Sequence, residues 1–187
     1  MSALDASYTG TWKLDPSHTR IGFNARHAMV TKVRGAFNDV AGTIVVDGED
    51  LGKSSVELII KVASVDTRNA DRDQHLRTND FFNAPKFPDI TFKSTRIDQV
   101  EENSFIVNGN LTIKETTREI AIPMEFMGVE TDPSGNLRAG FEGSRRVDRR
   151  DYGVNWNQAL DSGGVLVSER VLLEFEISAI KDAAPKS

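Results

Sequence analysis

Through most of the chain, apolar and polar residues alternate with a period of two, the pattern of strands with one buried face. Val56, Leu58, Ile60 and Val62 alternate with Glu57, Ile59 and Lys61; Phe105, Val107, Gly109, Leu111 and Ile113 repeat the pattern, as do Ile120, Ile122, Met124 and Phe126. Near the start, Trp12 and Leu14 flank Lys13 up to a break at Asp15-Pro16. Thr19, Ile21, Phe23 and Ala25 then share one face of a strand predicted from about His18 to His27. A longer strand is predicted from about Val33 to Val46, with Gly35 and Gly42 marking bends. Leu137, Ala139 and Phe141 form a return strand after the turn Asp132-Pro133-Ser134-Gly135-Asn136. A last strand, from about Leu166 to Ile180, puts Val171, Leu173, Phe175, Ile177 and Ala179 on one side. About eight to ten strands joined by short turns predict an all-β, antiparallel barrel or sandwich. Their length favours a barrel, because closure removes exposed edges.

One stretch breaks the alternation. Asn69 to Arg77 has no β-branched residue, Gly or Pro and predicts one short central helix. Phe81, Phe82, Phe87 and Phe92 follow closely, with Pro85 and Pro88 preventing further helix. These rings either plug one end of a barrel or line the mouth of an apolar cavity; periodicity serves both.

The chain has 187 residues, 39% hydrophobic and 27% charged, as in an ordinary folded domain. We expect short tails at 1–10 (mobile) and 182–187 around one barrel domain at 11–181. The net charge of −5 argues against nucleic acid or an anionic membrane as the main partner. Arg145, Arg146, Arg149 and Arg150 read as a solvated or ion-paired patch beside Asp148 and Asp151. No cysteine is present, which excludes disulfides, thiolate metal sites and a cysteine nucleophile. The N-terminal sequence lacks a basic start and an apolar core, and no run approaches the roughly 18 apolar residues of a membrane span. A cytoplasmic location without stable membrane insertion is expected.

Candidate chemistry is sparse. There is no GxSxG elbow, no phosphate-cradling glycine loop and no metal-ligand spacing. Asp71 and His75 lie four apart on one helix face, where they can share a hydrogen bond. An enzyme acting on a small apolar substrate, with His75 as general base oriented by Asp71, is the catalytic alternative. A ligand-free, stress-linked interaction module is another.

Several segments together resemble the YceI-like family of polyisoprenoid-binding proteins. They are Asp71-Arg72-Asp73-Gln74-His75-Leu76-Arg77, Asp80-Phe81-Phe82 and Phe87-Pro88-Asp89-Ile90-Thr91-Phe92. Trp12 to His18, Gly35-Ala36-Phe37, Gly109 to Ile113, Thr117-Arg118, Ile122-Pro123 and Asp151-Tyr152-Gly153-Val154 also fit, so the likeness runs from about 11 to 180. The resemblance implies an elongated, lipocalin-like barrel of about eight strands holding a polyprenyl or quinone-type chain, without catalysis or cofactor. It also implies pairing as a homodimer. Many members carry a signal peptide; without one here, we expect holding of the lipid rather than transport across a periplasm. With the resemblance, the aromatic run reads as cavity wall. Expected tunnel residues are Phe23, Val56, Leu58, Ile60, Phe81 and Phe82, with Phe87, Ile90 and Phe92 from the aromatic run. Phe105, Leu111, Ile122 and Met124 follow from the middle strands, and Phe141, Val171, Leu173 and Phe175 from the last two. Asp71, Arg72, Asp73 and His75 are assigned to fixing the helix or meeting a polar head group at the mouth.

Overall fold

A computed structural model describes residues 5–161 and 164–183. The strands are β1 (Gly10–Leu14), β2 (Arg20–His27), β3 (Thr31–Phe37), β4 (Val40–Val46), β5 (Ser55–Lys61) and β6 (Val65–Asp66). Helix α1 (Ala70–Arg77) precedes β7 (Asp89–Glu101), β8 (Ser104–Ile113), β9 (Thr116–Thr131), β10 (Leu137–Asp148) and β11 (Arg170–Lys181). All pairings are antiparallel. A ring of eight, β1-β4-β5-β7-β8-β9-β10-β11, closes through Trp12↔Lys181 and Leu14↔Ala179.

The other three strands lengthen one side of this barrel. The last part of β11 pairs with β1, and its first part, Leu172 to Glu176, pairs with β2. β1 and β2 are therefore two lengths of one strand, interrupted where Asp15 caps the single turn Pro16–His18 and Pro16 offers no N–H. The expected strand from His18 consequently begins at Arg20. β3 and β4 are likewise split at Asn38-Asp39, correcting the continuous Val33–Val46 reading, and β5 and β6 by the turn Val62–Ser64. The last strand starts at Arg170, because the chain before it crosses the barrel end, touching β2 through His27↔Val167.

Two openings in the ladder remain at this lower end. Between β6 and β7 the chain leaves the sheet and α1 fills the space. β9 and β10 pair only as far as Met124↔Gly143; below that point the single turn Arg149–Tyr152 packs against β9. The inner face carries the core, including Trp12, Leu58, Ile60, Phe92, Leu111, Ile122, Phe175 and Ile177. Glycine lets rings lie flat on the opposite strand: a Cβ on Gly35 would collide with Phe23, and one on Gly109 with Phe92.

Candidate functional site

The barrel core is not filled. Two apolar compartments lie along it, with about 90 Å³ in the upper and about 130 Å³ in the lower open to the centre of a water-sized sphere. One water needs about 10–15 Å³ on that measure, so each space takes several heavy atoms. Val56, Leu58, Phe92, Phe105, Ile122, Met124 and Phe141 stand on the upper wall. Phe23, Ile60, Phe81, Phe82, Ile90, Leu111, Val171 and Leu173 stand on the lower. Phe175 stands on both walls. No polar atom is exposed on either wall. Such spaces stay dry and are disposed to accept hydrocarbon.

Phe87 is the exception among the expected lining residues. It borders neither compartment: the turn beginning at Asn83, whose φ is 51°, carries it outward, and its ring lies 5.4 Å from the Lys86 ammonium. Sequence reading missed Trp12, Ile44 and Ala139 on the upper wall, and Phe37 and Tyr152 on the lower. Alternation already marks Trp12 and Ala139. Ile97 and Val129 also face inward, at odd spacings from Phe92 and Phe126, and alternation alone puts them outside. Register shifts between Ser94 and Arg96, and opposite Gly140-Phe141, insert one residue each and reverse the faces beyond.

Helix α1, which fills the gap between β6 and β7, is fixed by the charged half of the Asn69–Phe92 stretch. Asn69 caps α1, its side chain accepting from Arg72 N–H at 3.0 Å. Asp73, only 8% exposed, accepts from the Thr67 amide at 2.8 Å and the Thr67 hydroxyl at 2.6 Å. Arg72 holds the same residue, its Nε donating to Thr67 Oγ1 at 2.7 Å and Nη2 to the Thr67 carbonyl at 2.6 Å. Arg77 Nε donates to the Ala63 carbonyl at 3.0 Å. These bonds tie α1 to the segments that flank β6 on either side, at Ala63 and Thr67. Behind the helix, Phe82 meets Phe37 edge-on, with centroids 5.8 Å apart, at the lower compartment.

His75 does not pair with Asp71. Its Nε2 lies 2.8 Å from Asp80 Oδ2, and its ring packs edge-on against Phe81 and Trp156, with centroids at 5.0 and 4.7 Å. It borders neither compartment, so the arrangement required for a general base oriented by Asp71 is not formed. Among the described residues no group of three or more His, Asp or Glu could hold a metal ion. Arg149 also departs from its expected place in a solvated patch. It is 7% exposed, and its guanidinium donates to the carbonyls of Val154 at 2.7 Å and Ser168 at 2.9 Å. Burial pushes its pKa down. Arg150, by contrast, is ion-paired, with Asp148 at 2.7 Å and Glu169 at 3.1 Å. The buried Tyr152 hydroxyl has no hydrogen-bond partner among the described residues, and burial pushes the phenol pKa up.

Known proteins resemble this chain in sequence and share the overall fold of its barrel. The YceI-like domain family matches residues 12–179. The chain belongs to the YceI-like family. Among curated relatives, a UPF0312 protein of Staphylococcus epidermidis is 38% identical over 169 residues, covering 90% of this chain and 95% of that protein. The BcnA structure from Burkholderia cenocepacia matches this YceI-like barrel with a TM-score of 0.78 at 22% identity, over 88% of this chain and 98% of that one. A Saccharophagus degradans structure described as a polyisoprenoid binding domain matches with a TM-score of 0.71 at 15% identity, over 91% and 98%. At these identities the two structures speak for the fold.

Proposed function

We propose that this YceI-like protein binds and carries one long isoprenoid chain, polyprenyl or quinone-type, threaded through both compartments, and that it does so without catalysis. The observation that carries this reading is the pair of wholly apolar spaces end to end inside one closed barrel. The neighbour described as a polyisoprenoid binding domain supports the chemical class. A flexible chain suits such a bore, since binding needs only shape and apolar lining. Each buried CH₂ contributes about 0.8 kcal/mol and association costs about 4–15 kcal/mol, so about twenty carbons exceed even the upper cost, whereas about ten, at about 8 kcal/mol, fall within the range.

Native mass spectrometry of protein purified from cells tests this directly. A co-purifying or added polyprenol or long-tailed quinone is expected to give a one-to-one complex, with affinity rising with tail length. Protein that stays empty when offered quinones and polyprenols of every tail length refutes it.

A further inference from the structure

The hairpin formed by β2 and β3 carries an unusual distribution of charge and apolar surface. Between Arg20 and Phe37 there are four cations and no acid, in a chain whose net charge is −5. Arg20 meets Glu174 at 3.4 Å, whereas Arg26, Lys32 and Arg34 are exposed and have no ion-pair partner among the described residues. The three project outward, because Phe23, Ala25 and Phe37, at the alternate positions, line the lower compartment. Arg26 stands directly opposite Lys32, a like-charge pairing that costs folding stability. Arg146 continues the outer row across β10 and β11 through Leu172 and Asn24 to Arg34.

At the tip, Met29 and Val30 are 60% and 76% exposed. Ala28 and Met29 have φ of 49° and 67°, the left-handed pair of a tight hairpin turn that normally takes Asn and Gly. Side chains there carry backbone strain. The tip is nonetheless held in place. Ala28 N–H donates to the Leu166 carbonyl at 2.7 Å, and Arg26 is bonded through its amide and carbonyl to Ser168. Met29 lies over Gly164 beside Leu160. The one acid between Asn155 and Ser168 on this adjoining segment is Asp161.

We propose that this hairpin is the surface by which the protein docks, reversibly, on an anionic lipid membrane. Met29 and Val30 enter the headgroup boundary, and Arg26, Lys32 and Arg34 rest on lipid phosphates and carboxylates. The net charge of the whole chain obscures this site, because a surface charge is felt within about 10 Å and not across the molecule. The inner face of the same hairpin walls the lower compartment, so docking sets that compartment against the lipid. The surface is defined without reference to what the tunnel holds.

Co-sedimentation with vesicles of phosphatidylcholine, alone or mixed with phosphatidylserine, tests the proposal. Binding is expected only to the mixed vesicles and is expected to fall steeply with salt. Replacing Arg26, Lys32 and Arg34 together by Gln is expected to weaken it about 100-fold, at about five-fold per cation. Val30→Asn removes a side chain that touches little of the fold and is expected to weaken binding about ten-fold. Equal binding to neutral vesicles, no binding to anionic ones at low salt, or full binding by Val30→Asn overturns the proposal. So does dimerisation in solution that Val30→Asn abolishes, because the tip is then a contact between two copies. Tunnel content, read by native mass spectrometry on the same variants, is expected to stay unchanged. A tunnel that stays empty when quinones and polyprenols are offered, in a protein that still docks, would refute the carrier reading alone.

Discussion

Phe175 borders both compartments, and Phe175→Ala is expected to widen the passage between them. A buried Phe→Ala change costs about 3–5 kcal/mol. Because this ring faces a void on both sides, it gives up fewer contacts than a fully packed one, which places the loss near the low end, about 3 kcal/mol. In a domain of this size that lowers Tm by about 6–12 °C. The variant is then a sharper assay of ligand than the parent. A long isoprenoid at one hundred times its Kd returns about 2.7 kcal/mol to whichever protein it binds. In the variant the chain also fills the space left by the ring. Thermal melts of both proteins, with and without a long-tailed quinone, are expected to show the larger rescue in the variant. Native mass spectrometry is expected to show its preference moving to bulkier chains. A loss of 5 kcal/mol or more with no rescue by any chain would mean that Phe175 is ordinary filled core, and that the two spaces never act as one bore.

Other substitutions test separate parts of the structure. Ala139→Phe fills the upper compartment, at an overpacking cost of about 1–3 kcal/mol, and is expected to abolish retention of long chains while short ones still bind the lower space; chain lengths recovered by mass spectrometry decide it. Asp73→Ala leaves the buried Thr67 amide unpartnered, and a melt is expected to show a loss of about 1–3 kcal/mol together with faster ligand release. Tyr152→Phe removes a hydroxyl with no hydrogen-bond partner among the described residues and is expected to leave Tm unchanged or raised, measured on ligand-free protein. Asp148 is held at about 2 by the hydrogen bonds from the Arg150 side chain and then its amide. Since this folded-state pKa is depressed, its contribution is whole above the unfolded value of about 4 and lost as pH falls towards about 2. Denaturation midpoints across that window are expected to fall less for Asp148→Asn than for the parent.

The strands, the helix and most of the bore were legible because a period of two reports which face is buried. Leu58, Ile60, Phe105, Leu111 and Ile122 needed no more than that. Ile97 and Val129 were hidden because the extra residues at the β7 and β9 bulges carry no sequence mark that alternation detects. Phe87 was misplaced for a similar reason: a positive φ at Asn83 turns the chain, and apolarity alone does not reveal it. His75 shows the limit of helical spacing, since its partner, Asp80, lies beyond the end of the helix. Arg149 sits among three other arginines in sequence, and only the fold shows that carbonyls surround it.

The broken ladder has a mechanical consequence. Around the upper compartment every neighbouring strand is joined by backbone hydrogen bonds, so widening that wall means shearing a sheet. Around the lower compartment, the closures beside β6 and beside β10 are made by a helix and a single turn, held by side chains such as Asp73, Arg72 and Arg149. A few side-chain bonds yield at far lower free energy than a ladder, and such segments exchange their amides first. The molecule is thus a stiff cup with a hinged base. On the carrier reading, the threshold for loading and release would be set by a handful of polar residues, of which Asp73 and Arg72 border neither compartment and Arg149 stands on the lower wall.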